Sequence, residues 1–384
     1  MSTSFPPATY IWRLDALAAA VRAADLSGAI ITPGTDLAYL TGITGASHER
    51  FTGLVCTPSG EGTQRAVLIC PKTDLGALTA DHDLAALGIT AVGWSDGEDP
   101  YACAAQLLAG AAAPAPVAIS STMTVDHFFA LKSALPEAEW VDATTALASL
   151  FMRKQPDEVE WLTRAGAAID RVFEQVPGLL TAGRTEREVA ADIERLILVD
   201  HDSVDFIIVG SGENGANPHH SFSDRVLQAG EPVVVDLGGS MGPGYHSDCT
   251  RTFVVPGADP EPRFVDIYEV VRQAQEAAVE AVRPGRTAGE IDAIARDIIT
   301  ASEYGEYFFH RLGHGIGLAE HEPPFIIAGS DQVLEESMTF SIEPGIYIPG
   351  WAGVRIEDIV TVTADGARRL NTTSRALGGI VHPV

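Results

Sequence analysis

Residues 233–255 read VVVDLGGSMGPGYHSDCTRTFVV, two strand-forming runs around a glycine–proline turn. Valine, threonine and aromatic residues favour strands, and SMGPG favours chain reversal, so the stretch predicts a β-hairpin. One aspartate sits in each arm, Asp236 and Asp248. Side chains alternate faces along a strand, and the even separation lets both aspartates share a face across a suitable turn. Opposed residues in such a ladder have β-carbons about 5 Å apart, close enough for two carboxylates to grip one cation or span two.

Further along, MTFSIEPGIYI (338–348), PGWAG (349–353) and VRIEDIVTV (354–362) predict a second hairpin, with Glu343 and Glu357 evenly spaced across it. Pro344 holds Glu343 extended. Parity puts Arg355 on the face of Glu357, Asp358 on the opposite face, and Thr250 beside Asp248. Between the hairpins lies GHGIGLAEHE (313–322), with His314 and His321 among three glycines. The glycines suggest close backbone approach or positive φ. Asp236, Asp248, His314, Glu343 and Glu357 thus form an ordered set of metal-type ligands. Four carboxylates and one imidazole exceed what a structural zinc takes, and suit two adjacent divalent cations sharing carboxylates. Without cations, gathering four carboxylates would cost on the order of several kcal/mol in repulsion and desolvation.

Around these hairpins the pattern is helical. VEWLTRAGAAIDRVFEQV and TEREVAADIERLIL read as amphipathic helices, as do segments near Phe264–Val282 and Ala288–Ser302. Thr185 with Glu188, and Thr287 with Glu290, have capping-box spacing. Helix pair, hairpin, helix pair, hairpin is the order of a duplicated α+β unit over residues 151–384. Residues 1–150 differ. A helix over Trp12–Ala24, strands at GAIITPG, GLVCTP, RAVLICP, PVAISS and AEWVDA, and an Ala-rich helix at YACAAQLLAGAAA predict an open α/β layer domain. Pro156 and Asp157–Glu158 mark the first helix after the junction.

The 384 residues favour two domains. A net charge of −27, from 52 acids and 25 bases, argues against nucleic acid or an anionic membrane as partner. No apolar run reaches the length of a membrane span, and the N-terminus lacks the pattern of a signal peptide. Cys56, Cys70, Cys103 and Cys249 show no CxxC spacing and are expected as free thiols in a reducing, cytoplasmic compartment. In the loop-like GSGENGANPHH, His219 is expected to face a substrate. His220, His246 and His310 are expected in structural or supporting places.

These residues resemble the pita-bread metallopeptidases: methionine aminopeptidase, Xaa-Pro aminopeptidase and prolidase. The family's Asp, Asp, His, Glu, Glu order matches Asp236, Asp248, His314, Glu343 and Glu357. SDCTRTF, GHGIGL, EPGIY and VRIED resemble the prolidase and Xaa-Pro branch. Residues 1–150 resemble the creatinase/prolidase-type N-terminal domain. The two aspartates stand one residue further apart than is usual in the family, an addition expected in the SMGPG turn.

The resemblance implies hydrolysis of the Xaa-Pro bond of dipeptides, with an Xaa-Pro aminopeptidase for longer peptides as the alternative. It also implies two divalent metals, with Mn²⁺ favoured and Co²⁺ or Zn²⁺ as substitutes. Glu343 is expected as general base, His321 as oxyanion stabiliser, His219 at the scissile amide or proline side. Arg355 is expected to orient a carboxylate of the substrate or of Glu357. A homodimer is expected. A metal-free creatinase-like enzyme, another small-molecule hydrolase and a non-catalytic binding module are the competing classes. The intact ligand set speaks against the first and the last.

Overall fold

The computed structural model describes residues 4–60, 64–109 and 115–377. The chain divides into two compact units, Met1–Phe151 and Met152–Val384.

The first unit holds one mixed sheet. Its strands are β1 Gly28–Ile31, β2 Gly53–Cys56, β3 Ala66–Pro71, β4 Ile89–Trp94, β5 Val117–Ile119 and β6 Trp140–Asp142. Their order is β4-β3-β2-β1-β5-β6. Helix Pro7–Ala23 precedes the sheet, and helices Thr35–Thr41, Lys72–Asp81, Pro100–Leu108 and Val125–Ala134 lie between its strands. Ile30, Val55, Ile69, Val117 and Leu131 share a buried core. The five strands expected from the sequence are present. The unexpected one, β4, lies at the sheet edge and is mostly half-buried, so its apolar signature is weak. The Ala-rich helix is observed over Pro100–Leu108, and residues 110–113 of that expectation lie outside the described residues.

The second unit begins with helices Pro156–Phe173 and Glu186–Ile197, followed by β7 Ser203–Ser211, β8 Pro232–Met241 and β9 Tyr245–Val254. Helices Pro262–Ala281 and Ala288–Ala301 then precede β10 Gly313–Gly315, β11 Glu322–Ile326, β12 Thr339–Ile342, β13 Gly345–Ile348, β14 Ala352–Arg355, β15 Asp358–Val362 and β16 Ala367–Arg369. Both expected capping boxes form. Each half is a helix pair feeding an antiparallel sheet.

Period-two alternation separates core from site in the first hairpin. Val233, Val235 and Leu237 of β8 join Cys249 and Phe253 of β9 against Ile169, Phe173, Ile193 and Ile197 of the helices. Burying each large apolar side chain stabilises by about 1.5–3 kcal/mol. Asp236 and Asp248 occupy the alternate positions and face away from that core. In the ladder Asp236 pairs with Thr250 and Gly238 with Asp248, with no bulge from Pro232 to Val254. The twelve-residue separation is therefore absorbed in the turn.

One strand adds to the expected order, and one expectation needs correction. Residues 203–211 form a long strand, β7, which pairs with β8 along its length. Six of its nine residues are only half-buried, and that masks the strand pattern. The second hairpin is also not continuous. β12 pairs with β15 through Ile342–Asp358, and β13 with β14 through Gly345–Arg355. The register is the same on both sides of the break. Glu343 and Glu357 therefore stand opposite one another in the gap, where the ladder opens.

The two halves meet along β9. Glu357 N donates to Thr250 O at 3.0 Å, and Thr252 Oγ1 donates to Arg355 O at 2.9 Å. This seam brings the carboxylates of both hairpins together. Among the described residues, no helix is long and apolar enough to cross a membrane.

Candidate metal centre

Asp236, Asp248, His314, Glu343 and Glu357 line one cavity of about 1060 Å³ in the second unit. Three overlapping groups place ligand atoms within 4.8 Å of one another: Asp236, Asp248 and Glu357; His314, Glu343 and Glu357; Asp248, His314 and His321. The first two share Glu357, as two adjacent cations with a bridging carboxylate require.

The local bonding suits cations. His314 Nδ1 lies 3.1 Å from Gly315 O, so that nitrogen donates and Nε2 is left for the cavity. Nε2 stands 3.5 Å from Asp248 Oδ2 and 3.4 Å from Glu343 Oε1. Asp236 Oδ1 and Glu357 Oε1 are buried with no hydrogen-bond partner. A buried acceptor left so costs about 1–3 kcal/mol, more when charged. Cations would satisfy both oxygens, and the residues present therefore fit a divalent pair.

Electrostatics agree. Burial pushes Asp248 well above the usual carboxylate range, and Asp236 and Glu343 push it further. Burial does the same to Glu357, reinforced by Asp248 and Glu343. Asp236 is also raised by burial, against the opposing charge of Arg355. Glu343 differs: burial alone would raise it, but His314, His310 and Arg355 outweigh that and hold it below its ordinary value.

The glycines flanking His314 act through close approach. A β-carbon on Gly313 would lie 1.9 Å from Ser341 O, and one on Gly315 would lie 2.3 Å from Pro323 O. Neither residue has positive φ. Bare backbone there lets β11 and β12 close on His314 from both sides.

Arg355 does not sit where it was expected. Its guanidinium donates to Asp236 Oδ2 at 2.6 Å, Thr250 Oγ1 at 3.0 Å, Tyr347 Oη at 2.9 Å and Pro218 O at 3.4 Å. Every N–H direction is engaged inside the protein. Its carboxylate partner is Asp236, not Glu357. Glu357 is held by Thr250 instead, at 2.7 Å. As parity required, Asp358 points the other way, onto Arg251 at 2.6 Å.

His219 and His321 both line the cavity. The rings of His321 and His314 are 3.9 Å apart. Burial, with His314 and Arg311 beside it, pushes His321 down to about 4. Arg311 Nη2 lies 3.4 Å from His321 Nδ1. Arginine only donates, so Nδ1 accepts and Nε2 carries the proton. His220 turns away from the cavity. Its Nε2 meets Glu186 at 2.8 Å, on a fully buried carboxylate. Burial alone would raise Glu186, but bonds from Ser211, His220 and Ser223 hold it down to about 2. One carboxylate thus pins both ends of the loop that carries His219. His310 bonds Tyr347 Oη at 3.0 Å.

Tyr347, Glu320, Asp205 and the apolar lining from Phe206, Ile208, Phe222 and Phe309 were not singled out in the sequence. Parity would have found Tyr347, which shares the face of Glu343. The others come from segments without a motif.

This fold and site define a pita-bread metallopeptidase. The chain matches the metallopeptidase family M24 over residues 160–364 and the creatinase/prolidase N-terminal domain over residues 13–152, and it belongs to family M24. It is similar to the probable dipeptidase PepE of Mycobacterium tuberculosis, with 47% identity over 100% of this chain and 99% of that relative. The crystal structure of dipeptidase PepE from Mycobacterium ulcerans has a TM-score of 0.92 at 47% identity, covering 97% of this chain and 98% of that one. An Xaa-Pro dipeptidase of Lactobacillus helveticus is 38% identical over 91% of this chain and 94% of that protein. An X-Pro aminopeptidase from Thermotoga maritima shares the fold at a TM-score of 0.79 and 26% identity, covering 95% of this chain and 99% of that one.

Proposed function

We propose that the protein hydrolyses the Xaa-Pro bond of dipeptides, with Asp236, Asp248, His314, Glu343 and Glu357 holding two divalent cations. The observation that carries this reading is the pair of ligand groups sharing Glu357, with orphaned oxygens on Asp236 and Glu357. Divalent cations held there supply Lewis acidity and an activated water nucleophile. Their identity is proposed as Mn²⁺, with Co²⁺ or Zn²⁺ as substitutes, because the donor set is rich in carboxylates.

The side chains then divide the work. Glu343, ionised and bonded by Ser341 Oγ at 3.0 Å, takes the proton of the nucleophile and passes it to the leaving proline nitrogen. His321, neutral near pH 7, presents Nε2–H to the oxygen of the scissile carbonyl. His219 faces the substrate from the loop pinned by Glu186. Arg355 holds Asp236 in place, and its charge opposes the rise that burial imposes on that carboxylate.

The reading extends to a cytoplasmic homodimer, supported by the family resemblance and by four free thiols. Light scattering of the purified chain tests the dimer.

Metal-loaded enzyme is expected to cleave Gly-Pro faster than Gly-Pro-Yaa. The reverse order assigns it to the aminopeptidases, and no turnover of either peptide removes the Xaa-Pro reading. His321→Ala is expected to lower kcat by about 10²–10³-fold with metal content retained. Elemental analysis decides between roles: lost metal would make His321 a ligand, as its grouping with Asp248 and His314 permits.

A further inference from the structure

The cavity wall beside the carboxylate cluster carries two more acids, Asp205 and Glu320. Asp205 is held by a histidine. Its Oδ2 lies 2.6 Å from His246 Nδ1, while His246 Nε2 lies 3.1 Å from Leu318 O. Both partners are acceptors, so both ring nitrogens donate and His246 is an imidazolium. It is bonded to Asp205, and its charge also acts on Glu320.

Glu320 makes no such bond: burial pushes its carboxyl up, and His246 attracts it only at longer range. It is half-buried on the same wall, and among the described residues it forms no ion pair or hydrogen bond through its side chain. The cavity-lining Arg311 stacks on Phe325, 4.6 Å from the ring, and leans on His321 rather than on Glu320. Glu320 lies near the reaction centre: its charge adds to the repulsion felt by Asp248. It belongs to none of the ligand groups.

A dipeptide ending in proline has one obligatory anion, the proline carboxylate. Like-charge repulsion turns that end away from Glu320. The residue facing Glu320 is then the amino-terminal one. Its ammonium group is common to all such dipeptides, and its side chain is the variable part.

Resting on the Xaa-Pro reading above, we propose that Glu320 sets specificity for the residue before proline, favouring a basic side chain over an acidic one. The preference arises from attraction to lysine or arginine and repulsion of aspartate or glutamate on a partly desolvated wall. Half-exposed charge pairs act a few-fold each, so attraction and repulsion together give about ten-fold.

The test is kcat/KM for Lys-Pro, Leu-Pro and Glu-Pro with metal-loaded, full-length protein. In wild type the Lys-Pro to Glu-Pro ratio is expected at about ten or more, falling as salt is added. In Glu320→Gln the ratio should fall a few-fold, and in Glu320→Lys it should drop below one. A wild-type ratio near one overturns the inference, whatever the variants do. So does a ratio that Glu320→Gln leaves unchanged. Turnover of none of the three peptides removes the Xaa-Pro reading and this inference with it. Turnover with a flat ratio removes this inference alone.

Discussion

Asp248→Ala is expected to leave less than one divalent ion per chain and to lower kcat/KM on Xaa-Pro dipeptides by about a thousand-fold or more. Asp248 belongs to two of the three ligand groups and faces His314 across 3.5 Å. Its removal takes a donor from the group it forms with Asp236 and Glu357 and opens the side of His314 that it faces. A folding defect would also abolish activity, but the two causes separate on stability. In wild type stripped of metal, Asp248, Asp236, Glu343 and Glu357 repel one another in a buried space. The alanine variant lacks one of those charges. Under chelation near pH 7 it should therefore melt higher than stripped wild type, the opposite of ordinary damage to a core. Elemental analysis, dipeptide kinetics and melting of the chelated proteins are the three measurements. Full occupancy with full rate would remove Asp248 from the ligand set.

Removing the metals should reverse the pH dependence of stability around the site. In the stripped protein Asp248, Glu357 and Asp236 titrate above their usual range, chiefly through burial. A carboxylate whose folded pKa lies above its unfolded value stabilises the fold fully below the unfolded pKa, about 4. That contribution is lost as pH rises through the folded value. Stripped protein should thus lose stability from mildly acidic pH toward neutrality and beyond. Loaded protein needs the same carboxylates ionised, so it gains over that range. The difference in Tm between loaded and chelated protein is expected to widen by several degrees from pH 5 to pH 8. A constant difference would mean that Asp236, Asp248 and Glu357 do not share a buried site. Glu343 is excluded from this trend, because His314, His310 and Arg355 keep it ionised without metal.

Much of the site was legible because strand alternation is local. Parity alone set Asp236 and Asp248 on one face, put Thr250 with them, and sent Asp358 to Arg251 on the other side. Capping boxes at Thr185 and Thr287 are equally local, one hydroxyl and one acid within a single turn. Where the chain's exposure is set by a cavity, the pattern failed. β7 lines that cavity, so its half-buried residues carry no strand pattern. The break at Glu343 and Glu357 was also invisible, because the register continues unchanged across it.

The order of ligands, the domain pattern and the duplicated helix–hairpin plan were set by the sequence itself, through periodicity and spacing along the chain. Partner choice was not. That Arg355 grips Asp236 rather than Glu357, that His220 turns to Glu186, and that Glu320 forms no ion pair depend on which distant elements meet, at the β9 seam and elsewhere. Those contacts join residues more than thirty positions apart. Alternation says which face a side chain takes, and only packing between distant elements says what it meets there.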